Sequence, residues 1–325
     1  MGYLQNGEWK DGRLPQETGK TGEFLRADSA FRDTITPDGS SGFKAEAGRY
    51  HLYVMLGCPW AHRTLLYRAA KKLEDLITVD YTLPTDRRQG WTFGADARFP
   101  ETGEDSLHGF RHLHQVYTHC QPDYTGKVTV PVLWDKKTSR IVNNESSEII
   151  RNLNHAFDGL TGDNTDFYPP ELRNEIDAWN EKIYHNVNNG VYRAGFAKTQ
   201  EAYEAAYDGL FRTLDEIEDT LARLRYLTGN RITEADWRLF PTLVRFDVAY
   251  FSLFKCNRNR IADMPNLSNY TRDLYSQPGV AKTVSPRNYV ANYYSITDVN
   301  PTGIIPKGVP ADFTAPHDRE RFGSA

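Results

Sequence analysis

Apolar and polar residues alternate, within the first third of the chain, in a pattern that predicts a strand, a helix and a second strand. The apolar run at 49–56 is rich in β-branched and aromatic residues, which favours a strand. Apolar residues then recur every fourth position from Ala61 to Leu73, the spacing of one helix face, and Pro59 suits the first turn of that helix. A second apolar run at 76–83 completes a βαβ unit.

The alternation returns after a loop-rich stretch at 84–126. Apolar runs at 127–135 and 139–144 predict two more strands joined by a short turn, and a helix begins at Glu145. Pro131 interrupts the first of these strands, where it removes a ladder hydrogen bond. A βαβ unit followed by two strands and a helix, with a proline opening the third strand, predicts a thioredoxin-like α/β domain.

Helical periodicity dominates the second half of the chain. A linker rich in Gly, Asp and Pro at 158–170 precedes amphipathic segments, of which 200–224 is a long one. Thr233 and Asp236 form a variant capping box at the start of another predicted helix, which extends over 232–254. The predicted segments are an extended N-terminal arm (1–48), a thioredoxin-like domain (49–157) with a loop insertion (84–126), the linker (158–170), an all-helical domain (171–284) and a C-terminal tail (285–325).

Composition limits the cellular compartments and the classes of binding partner that fit this protein. The chain has 39 basic and 43 acidic residues, a net charge of −4, which argues against nucleic acid and anionic membranes as partners. No run approaches the ~20 apolar residues that span a bilayer, and the N-terminus lacks the pattern of a secretory signal. The three cysteines, Cys58, Cys120 and Cys256, form no CxxC pair and no disulfide framework, so we expect a cytoplasmic protein.

Cys58 is the strongest candidate for chemistry, and we assign the other two cysteines to packing. It lies between a predicted strand and the first turn of a predicted helix, where free N–H groups and the helix dipole stabilise a nucleophilic thiolate. Position 61 is Ala, so no second cysteine follows three residues later. A resolving thiol must come from outside, most simply from a small thiol such as glutathione. A lone cysteine can equally be a buried packing residue, and its position alone leaves both interpretations open.

Two other groups fit a glutathione site, but each has an ordinary structural explanation. After the βαβ unit we favour a cis bond between Val130 and Pro131, which would turn the Val130 backbone toward a ligand peptide, although an edge strand would also accept this proline. Glu145 and Ser146 begin a predicted helix. They can hold the ammonium and carboxylate of a γ-glutamyl group, or they can simply cap the helix.

Tyrosines are candidates for binding an aromatic substrate. Tyr184, Asn188 and Tyr192 share one face if their helix stays regular through Gly190, which makes Tyr184 a further candidate for substrate binding. Tyr293 lies beyond the last predicted helix. Phenol hydroxyls donate hydrogen bonds beside aromatic ligands, but with 19 tyrosines in the chain packing explains any single one equally well.

Taken together, these motifs resemble those of one protein family. The stretches "LGCPWAHR", "YTGKVTVPVLWDKK", "NNESSEIIR", "VNNGVYRAGFA" and "TEADWRLFPTLVRFD" are similar to the Xi class of glutathione transferases, the glutathionyl-hydroquinone reductases. The similarity extends over nearly the whole chain. It implies a thioredoxin-like domain with a cysteine nucleophile, a helical domain, glutathione as co-substrate, no metal, and a homodimer.

The resemblance also implies roles for individual residues. The implied set is Cys58 as catalytic cysteine, Trp91, Lys127, Val130, Glu145 and Ser146 as glutathione-binding residues, and Tyr192 and Tyr293 as catalytic residues that bind the hydroquinone. Many family members have Arg at the position of Lys127. The lysine keeps the positive charge of that arginine but lacks its bidentate fork. The adjacent Tyr294 is the alternative to Tyr293 as the match for the second substrate-binding tyrosine of the family.

The expected activity is the reduction of glutathionyl-hydroquinones through a mixed disulfide between Cys58 and glutathione, with release of oxidised glutathione. Two alternatives are an omega-like thiol transferase or dehydroascorbate reductase, which substrate tests distinguish, and a non-catalytic glutathione-binding module, which would bind without turnover.

Overall fold

The computed structural model describes residues 2–12, 19, 21–26, 28–84, 89–308 and 312–323. The chain forms two compact units, and its N-terminal region contributes to both. Unit 1 comprises Met1–Glu17 and Arg26–Thr165, and unit 2 comprises Thr18–Leu25 and Asp166–Ala325.

The secondary structure of the described residues is as follows. The strands are β1 (Tyr3–Gln5), β2 (Glu8–Lys10), β3 (Ile35–Thr36), β4 (Phe43–Lys44), β5 (Tyr50–Val54), β6 (Ile77–Tyr81), β7 (Val132–Asp135) and β8 (Arg140–Asn143). The α-helices of unit 1 are α1 (Pro59–Ala70), α2 (Leu113–Cys120), α3 (Ser146–His155) and α4 (Asp158–Thr161). Those of unit 2 are α5 (Arg173–Ile183), α6 (Gly190–Gly195), α7 (Gln200–Leu221), α8 (Glu234–Arg245), α9 (Phe251–Leu253), α10 (Pro265–Ser276) and α11 (Pro286–Tyr294). Two π-helical turns, Tyr184–Asn188 and Phe246–Tyr250, directly follow α5 and α8.

A four-stranded sheet forms the centre of unit 1, with strand order β6-β5-β7-β8. β6 is parallel to β5, whereas β7 is antiparallel to both β5 and β8. β5 is buried along its whole length, as its continuous apolar run predicts, and α1 packs against α3. The order βαβ followed by ββα confirms the predicted thioredoxin-like domain.

Helices build unit 2, as predicted. α7 buries Leu210, Leu214, Ile217 and Leu221, at the spacing of three and four that its sequence pattern indicates. α5 packs along α8, and α6 packs along α7. No helix within the described ranges is both long enough and apolar enough to cross a membrane.

The segment predicted as an extended arm is partly paired. It contains the antiparallel pair β1–β2 and the short parallel pair β3–β4. The backbones of Leu4 and Gly126 also exchange two hydrogen bonds, both 2.9 Å long. These contacts join residues far apart in sequence, so local periodicity could not predict them.

The third strand of the sheet is shorter than the predicted run 127–135. The strand begins only at Val132, directly after Pro131. Because proline has no N–H, it cannot donate to the ladder, and pairing with β5 starts at the next residue.

α2 lies inside the insertion at 84–126, where only loops were predicted. Its first turn is closed by Gln115, whose side-chain oxygen accepts a hydrogen bond from the N–H of His112 (3.0 Å). Histidine at the cap position is not a strong start pattern for a helix, so the sequence did not indicate this one.

α11 lies inside the segment predicted as a C-terminal tail. The prediction that Tyr293 lies beyond the last helix was therefore wrong. Pro286 opens α11, and Tyr289 and Tyr293, four residues apart, are both buried. Pro at the first position and this spacing are helix features that the sequence analysis did not use.

Candidate active site

Cys58 occupies the N-cap of α1, at the end of the connection from β5. Its N–H donates to the Met55 carbonyl (2.9 Å), and its carbonyl accepts from the His62 N–H (3.0 Å). Pro59 is the first helical residue, as predicted. The Cys58 thiol donates to the Val130 carbonyl at 3.7 Å, and the residue is 8% exposed. The sulfur is therefore held at a helix N-terminus, where peptide dipoles stabilise negative charge.

The Val130–Pro131 peptide bond is cis, which confirms the prediction. Val130 is buried, and its N–H donates to no residue in the part of the chain that the structure describes. A backbone N–H of this kind, next to a cysteine, can pair with an extended peptide ligand. The backbone of Val130 thus fits the cysteinyl part of glutathione.

Glu145 is the N-cap of α3, and Ser146 is its first helical residue, as predicted. The carboxylate of Glu145 accepts from the N–H and the hydroxyl of Ser147 (3.1 and 2.9 Å) and from the hydroxyl of Ser29 (3.0 Å). Burial opposes ionisation, but these hydrogen bonds and the nearby charge of Arg63 lower the pKa of Glu145. Glu145 is therefore ionised at neutral pH and can pair with an ammonium group.

Two arginines that the sequence analysis missed pack on Trp60, and one of them, Arg63, reaches this helix start. Arg63 is 2% exposed, and its Nη1 donates to the Ser146 hydroxyl (3.3 Å). Its guanidinium lies 4.6 Å from the ring centre of Trp60, and the guanidinium of Arg26 lies 4.7 Å from the same ring. Trp60 and Arg63 are three residues apart on α1, a spacing that could have indicated the pair. Arg63 places positive charge where Ser146 can receive a carboxylate.

Trp91 and Lys127 lie on the two connections that flank α2. Trp91 is 9% exposed, and its carbonyl accepts from the N–H of Leu113 (2.8 Å). The carbonyl of Lys127 accepts from the hydroxyl of Tyr124 (3.0 Å). These bonds tie both backbones into unit 1, and the assignment of the two side chains to glutathione stays a prediction.

Three tyrosine hydroxyls form a chain in unit 2. The oxygens of Tyr192, on α6, and Tyr293, on α11, are 2.6 Å apart, and those of Tyr293 and Tyr250 are also 2.6 Å apart. Burial raises the pKa of both Tyr250 and Tyr293 well above the ordinary value. Tyr192, which is partly exposed, forms the outer end of the chain. The structure thus brings the two predicted tyrosines together.

Tyr250 is a residue that sequence reasoning missed. It ends the π-helical turn after α8, in a stretch predicted as one regular helix. Its ring stacks on Phe254, whose ring in turn lies 5.6 Å from that of Tyr192. Periodicity of 3.6 residues places Tyr250 on another face, so only the observed turn could align it.

Tyr184, Asn188 and Tyr192 were expected to share a face only if their helix stayed regular, and that condition is not met. Residues 184–188 form a π-helical turn, and the Asn188 amide donates to Thr242 (2.8 Å). The role of Tyr184 in substrate binding stays a prediction. Tyr294 pairs with the hydroxyl of Ser252 (2.7 Å), whereas its neighbour Tyr293 joins the tyrosine chain.

Metal ligands are not clustered in the part of the chain that the structure covers. No group of three or more His, Cys, Asp or Glu side chains there is placed to hold a metal ion.

Comparison with known proteins places both units in one family. Residues 57–156 match the family model of the glutathione S-transferase N-terminal domain, and residues 200–273 match that of the C-terminal domain. The chain is 50% identical over 333 residues to the glutathionyl-hydroquinone reductase YqjG of Escherichia coli, covering 99% of this chain and 100% of that protein. It is 50% identical over 310 residues to the glutathionyl-hydroquinone reductase PcpF of Sphingobium chlorophenolicum, covering 95% and 96%.

Solved structures decide the class. A Xi-class glutathione transferase of Natrialba magadii has a TM-score of 0.92 and 41% identity, covering 100% of this chain and 98% of that one. The chain belongs to the Xi class of glutathione transferases. The glutathione-bound structure of E. coli YqjG, with a TM-score of 0.90 and 47% identity, covers 98% of this chain and 99% of its own. As a Xi-class member, the chain combines the predicted thioredoxin-like and helical domains.

Proposed function

We propose that this Xi-class protein reduces glutathionyl-hydroquinones to free hydroquinones, with glutathione as the reductant. The observation that carries the proposal is the position of Cys58, a single cysteine at the start of α1 without a second cysteine at position 61. Two reductases of this name align with nearly the full chain at 50% identity. A lone thiolate in this place attacks sulfur and then needs an external thiol to release it.

The first half-reaction cleaves the bond between the ring carbon and the glutathione sulfur. The Cys58 thiolate attacks that sulfur and forms a disulfide, and the bonding electron pair leaves with the ring carbon. A proton must reach this carbon, and Tyr192, at the outer end of the tyrosine chain, is the donor that we assign. The carbon is reduced, two sulfurs are oxidised, and the negative charge passes from Cys58 to the tyrosine hydroxyls.

The second half-reaction restores the enzyme. A second glutathione loses its thiol proton to the tyrosine chain and attacks the mixed disulfide on Cys58. The products are oxidised glutathione and the Cys58 thiolate. Atoms and electrons balance over the cycle, because two glutathionyl sulfurs leave as one disulfide and the hydroquinone gains one hydrogen on carbon.

Glutathione itself is held, in this proposal, by groups of unit 1. The backbone of Val130 pairs with the cysteinyl residue of glutathione, next to Cys58. Glu145 and Ser146 receive the ammonium and carboxylate of the γ-glutamyl residue, and the ionised state of Glu145 supports this role. Trp91 and Lys127 complete the site, with Lys127 near the glycine carboxylate.

The hydroquinone is oriented by Tyr192 and Tyr293 in this proposal. Their hydroxyls lie 2.6 Å apart, so each can lend its proton to a bond with the other or with a substrate oxygen. The geometry supports Tyr293 rather than Tyr294, since the Tyr294 hydroxyl pairs with Ser252.

The test is turnover of a glutathionyl-menadiol-type substrate with glutathione, following free hydroquinone, in wild type and Cys58→Ser. We expect release from wild type and a loss of at least about 10³-fold in the variant, since serine is a far poorer nucleophile toward sulfur. Mass spectrometry of wild type with substrate alone should show Cys58 carrying one glutathione. Cys256→Ser, which alters a buried thiol, is the matched control and should retain activity. Full activity of Cys58→Ser would contradict the assignment.

The same assay distinguishes the alternative of an omega-like thiol transferase. A relative from Schizosaccharomyces pombe, 42% identical, is named glutathione S-transferase omega-like 2. That alternative predicts exchange with simple glutathione disulfides and no release of hydroquinone. A non-catalytic module predicts glutathione binding without either product. The homodimer and the cytoplasmic location stay predictions, for which light scattering and cell fractionation are the measurements.

A further inference from the structure

Arg245 is a wholly buried cation beside the tyrosine chain. It ends α8, and its side chain is 0% exposed. Its Nη1 donates to the Pro241 carbonyl (2.8 Å), and its guanidinium lies 3.9 Å from the ring centre of Tyr289. Burying a cation is unfavourable unless surrounding groups compensate, and the Pro241 carbonyl and the Tyr289 ring are two such groups.

The local backbone turns Arg245 toward the inner tyrosines. A π-helical turn follows Arg245 and closes with a bond from the Phe251 N–H to the Phe246 carbonyl. Residues five apart face one side in such a turn, which aligns Tyr250 with Arg245. On α11, Tyr289 and Tyr293 are four residues apart and share a face, so the arginine that covers Tyr289 also faces Tyr293.

The charge of Arg245 acts on these tyrosines. Burial raises the pKa of Tyr250 and Tyr293, and the positive charge of Arg245 opposes the rise at both. Within the chain, Tyr192, Tyr250 and Tyr293 act on one another, and Arg245 is the cation that acts on both Tyr250 and Tyr293. Tyr289 of α11 interacts with Arg245. The neighbouring carboxylate of Asp247 accepts instead from the N–H groups of Ile261 and Ala262 (2.6 and 3.1 Å).

We infer that Arg245 is a positioning residue that stabilises the negative charge on the tyrosine chain between the two half-reactions. This inference rests on the proposed function. After Tyr192 gives its proton to the ring carbon, two protons remain for three phenol oxygens, and the net charge of the chain is −1. Arg245 holds that charge in a buried setting until the thiol of the second glutathione returns a proton.

The positive charge of Arg245 also determines how readily Tyr192 donates its proton to the ring carbon. Without Arg245, the deprotonated chain is less stable, so the chain becomes a weaker acid and the transfer to carbon slows. Because binding of glutathione is assigned to unit 1, the KM for glutathione should not depend on Arg245. An effect on kcat without an effect on KM thus separates this role from a loss of structure.

The first experiment compares the pH profiles of kcat in wild type, Arg245→Met and Arg245→Lys. Arg245→Met should lower kcat by about tenfold or more, a part of the ~10²–10⁴-fold that a positioned proton donor contributes. Its alkaline limb should move to higher pH by about one unit, because the donor is then a weaker acid. Arg245→Lys keeps the charge and should retain the wild-type limb.

Arg319→Met is the matched control. Arg319 is also wholly buried in unit 2, where it donates to the carbonyls of Leu221 and Arg225 and covers the ring of Phe322 at 4.6 Å. Its loss should reduce stability without moving the pH profile. An equal movement of the alkaline limb in Arg319→Met, or none in Arg245→Met, would overturn the inference. Absence of turnover in wild type would instead reject the proposed function.

A readout that needs no turnover uses 3-fluorotyrosine placed at position 293 and followed by ¹⁹F NMR against pH. The midpoint should rise in Arg245→Met and return toward wild type in Arg245→Lys. If Arg245→Met does not fold, Arg245→Gln takes its place, because glutamine lacks the charge but keeps an N–H that can donate to the Pro241 carbonyl. A midpoint that stays at the wild-type pH in the uncharged variant would refute the role of Arg245.

Discussion

At the scale of single residues, one cysteine determines the type of chemistry. Cys58 has no partner cysteine three residues later, so a dithiol cycle within this motif is impossible. The cap position on α1 supplies the dipole, and the Val130 carbonyl lies 3.7 Å from the sulfur. These features favour a thiol that forms and releases mixed disulfides.

Glu145 gives a prediction that separates binding from stability. Glu145→Gln keeps an oxygen that can cap α3 but removes the charge that we assign to the ammonium of glutathione. The KM for glutathione should rise about tenfold, since a bond to a charged group is worth ~1.5–3 kcal/mol, with little change in kcat. The control is Glu148→Gln on the same helix, where the lost partner is Arg32 at 2.7 Å. A similar rise in KM there would contradict the assignment.

The lowered pKa of Glu145 also predicts a pH dependence of unfolding. A carboxyl with a lower pKa in the folded state stabilises that state above its unfolded pKa, and the contribution disappears as pH falls through the folded pKa. Denaturant unfolding of wild type and Glu145→Gln should therefore differ at pH 7. The difference should shrink as pH falls below the ordinary glutamate pKa of ~4.3 and disappear below the lowered pKa of the folded state. A constant difference down to pH 2 would exclude this linkage.

At the scale of elements, the starts of α1, α3 and α8 were predicted well, because caps use residues close in sequence. Thr233 and Asp236 form the predicted capping box of α8: the Asp236 carboxylate accepts from the Thr233 N–H at 2.7 Å. The same carboxylate also accepts from the Leu227 N–H (3.0 Å) and the Tyr270 hydroxyl (2.7 Å), which the sequence did not indicate. The capping residue Asp236 therefore also joins three segments of the chain through buried hydrogen bonds.

Asp236→Ala should therefore cost more than an ordinary cap. It leaves two N–H groups and a tyrosine hydroxyl without their acceptor, which predicts a loss of about 3–5 kcal/mol in the free energy of unfolding. The matched control is Glu201→Ala, an exposed acid in the first turn of α7, with an expected change below about 1 kcal/mol. Urea unfolding measures both. Equal losses would mean that Asp236 acts only as a cap.

The π-helical turns show where element prediction fails for a physical reason. Each turn inserts one residue into a stretch whose apolar pattern predicts a single continuous helix. The first turn precedes Tyr192, and the second contains Tyr250. Such an insertion is stabilised by contacts between helices, here for example the bond from Asn188 to Thr242. Propensity along one segment does not contain that information.

At the scale of the whole molecule, the chain leaves unit 1 through a segment fixed by one buried lysine. Lys71, 1% exposed in its side chain, lies 2.9 Å from a carboxylate oxygen of Asp158. Its ammonium also donates to the carbonyls of Asp163 (2.9 Å) and Thr165 (2.5 Å). Two carbonyl hydrogen bonds and the adjacent carboxylate of Asp158 together compensate this buried charge.

Lys71→Met should destabilise unit 1 by about 3–5 kcal/mol, because it leaves Asp158 and two carbonyls without their partner. It should also expose residues 158–165 to limited proteolysis. Lys72→Met is the control, since that neighbouring lysine is 75% exposed and its ion pair with Asp163 is worth about 1 kcal/mol or less. Equal protection from protease in the two variants would contradict the role of Lys71.

By itself, the sequence determined the βαβ and ββα order of the thioredoxin-like domain and the place of Cys58 at a strand-to-helix turn. It also determined the proline before the third strand and the cap of α3. All of these depend on periodicity, caps and turns, which are properties of neighbouring residues. The same local information explains why the thioredoxin-like plan could be recognised before any contact was known.

Only the tertiary structure decided which side chains meet. Tyr192 and Tyr293 are 101 residues apart, and Tyr250 and Tyr293 are 43 apart. Whether such hydroxyls touch depends on how α6, α8 and α11 pack and on a π-helical turn that rotates Tyr250 into line. The burial of Arg245 under Tyr289 has the same origin, because packing between helices, and not the pattern along any one of them, places a charge beside a hydroxyl.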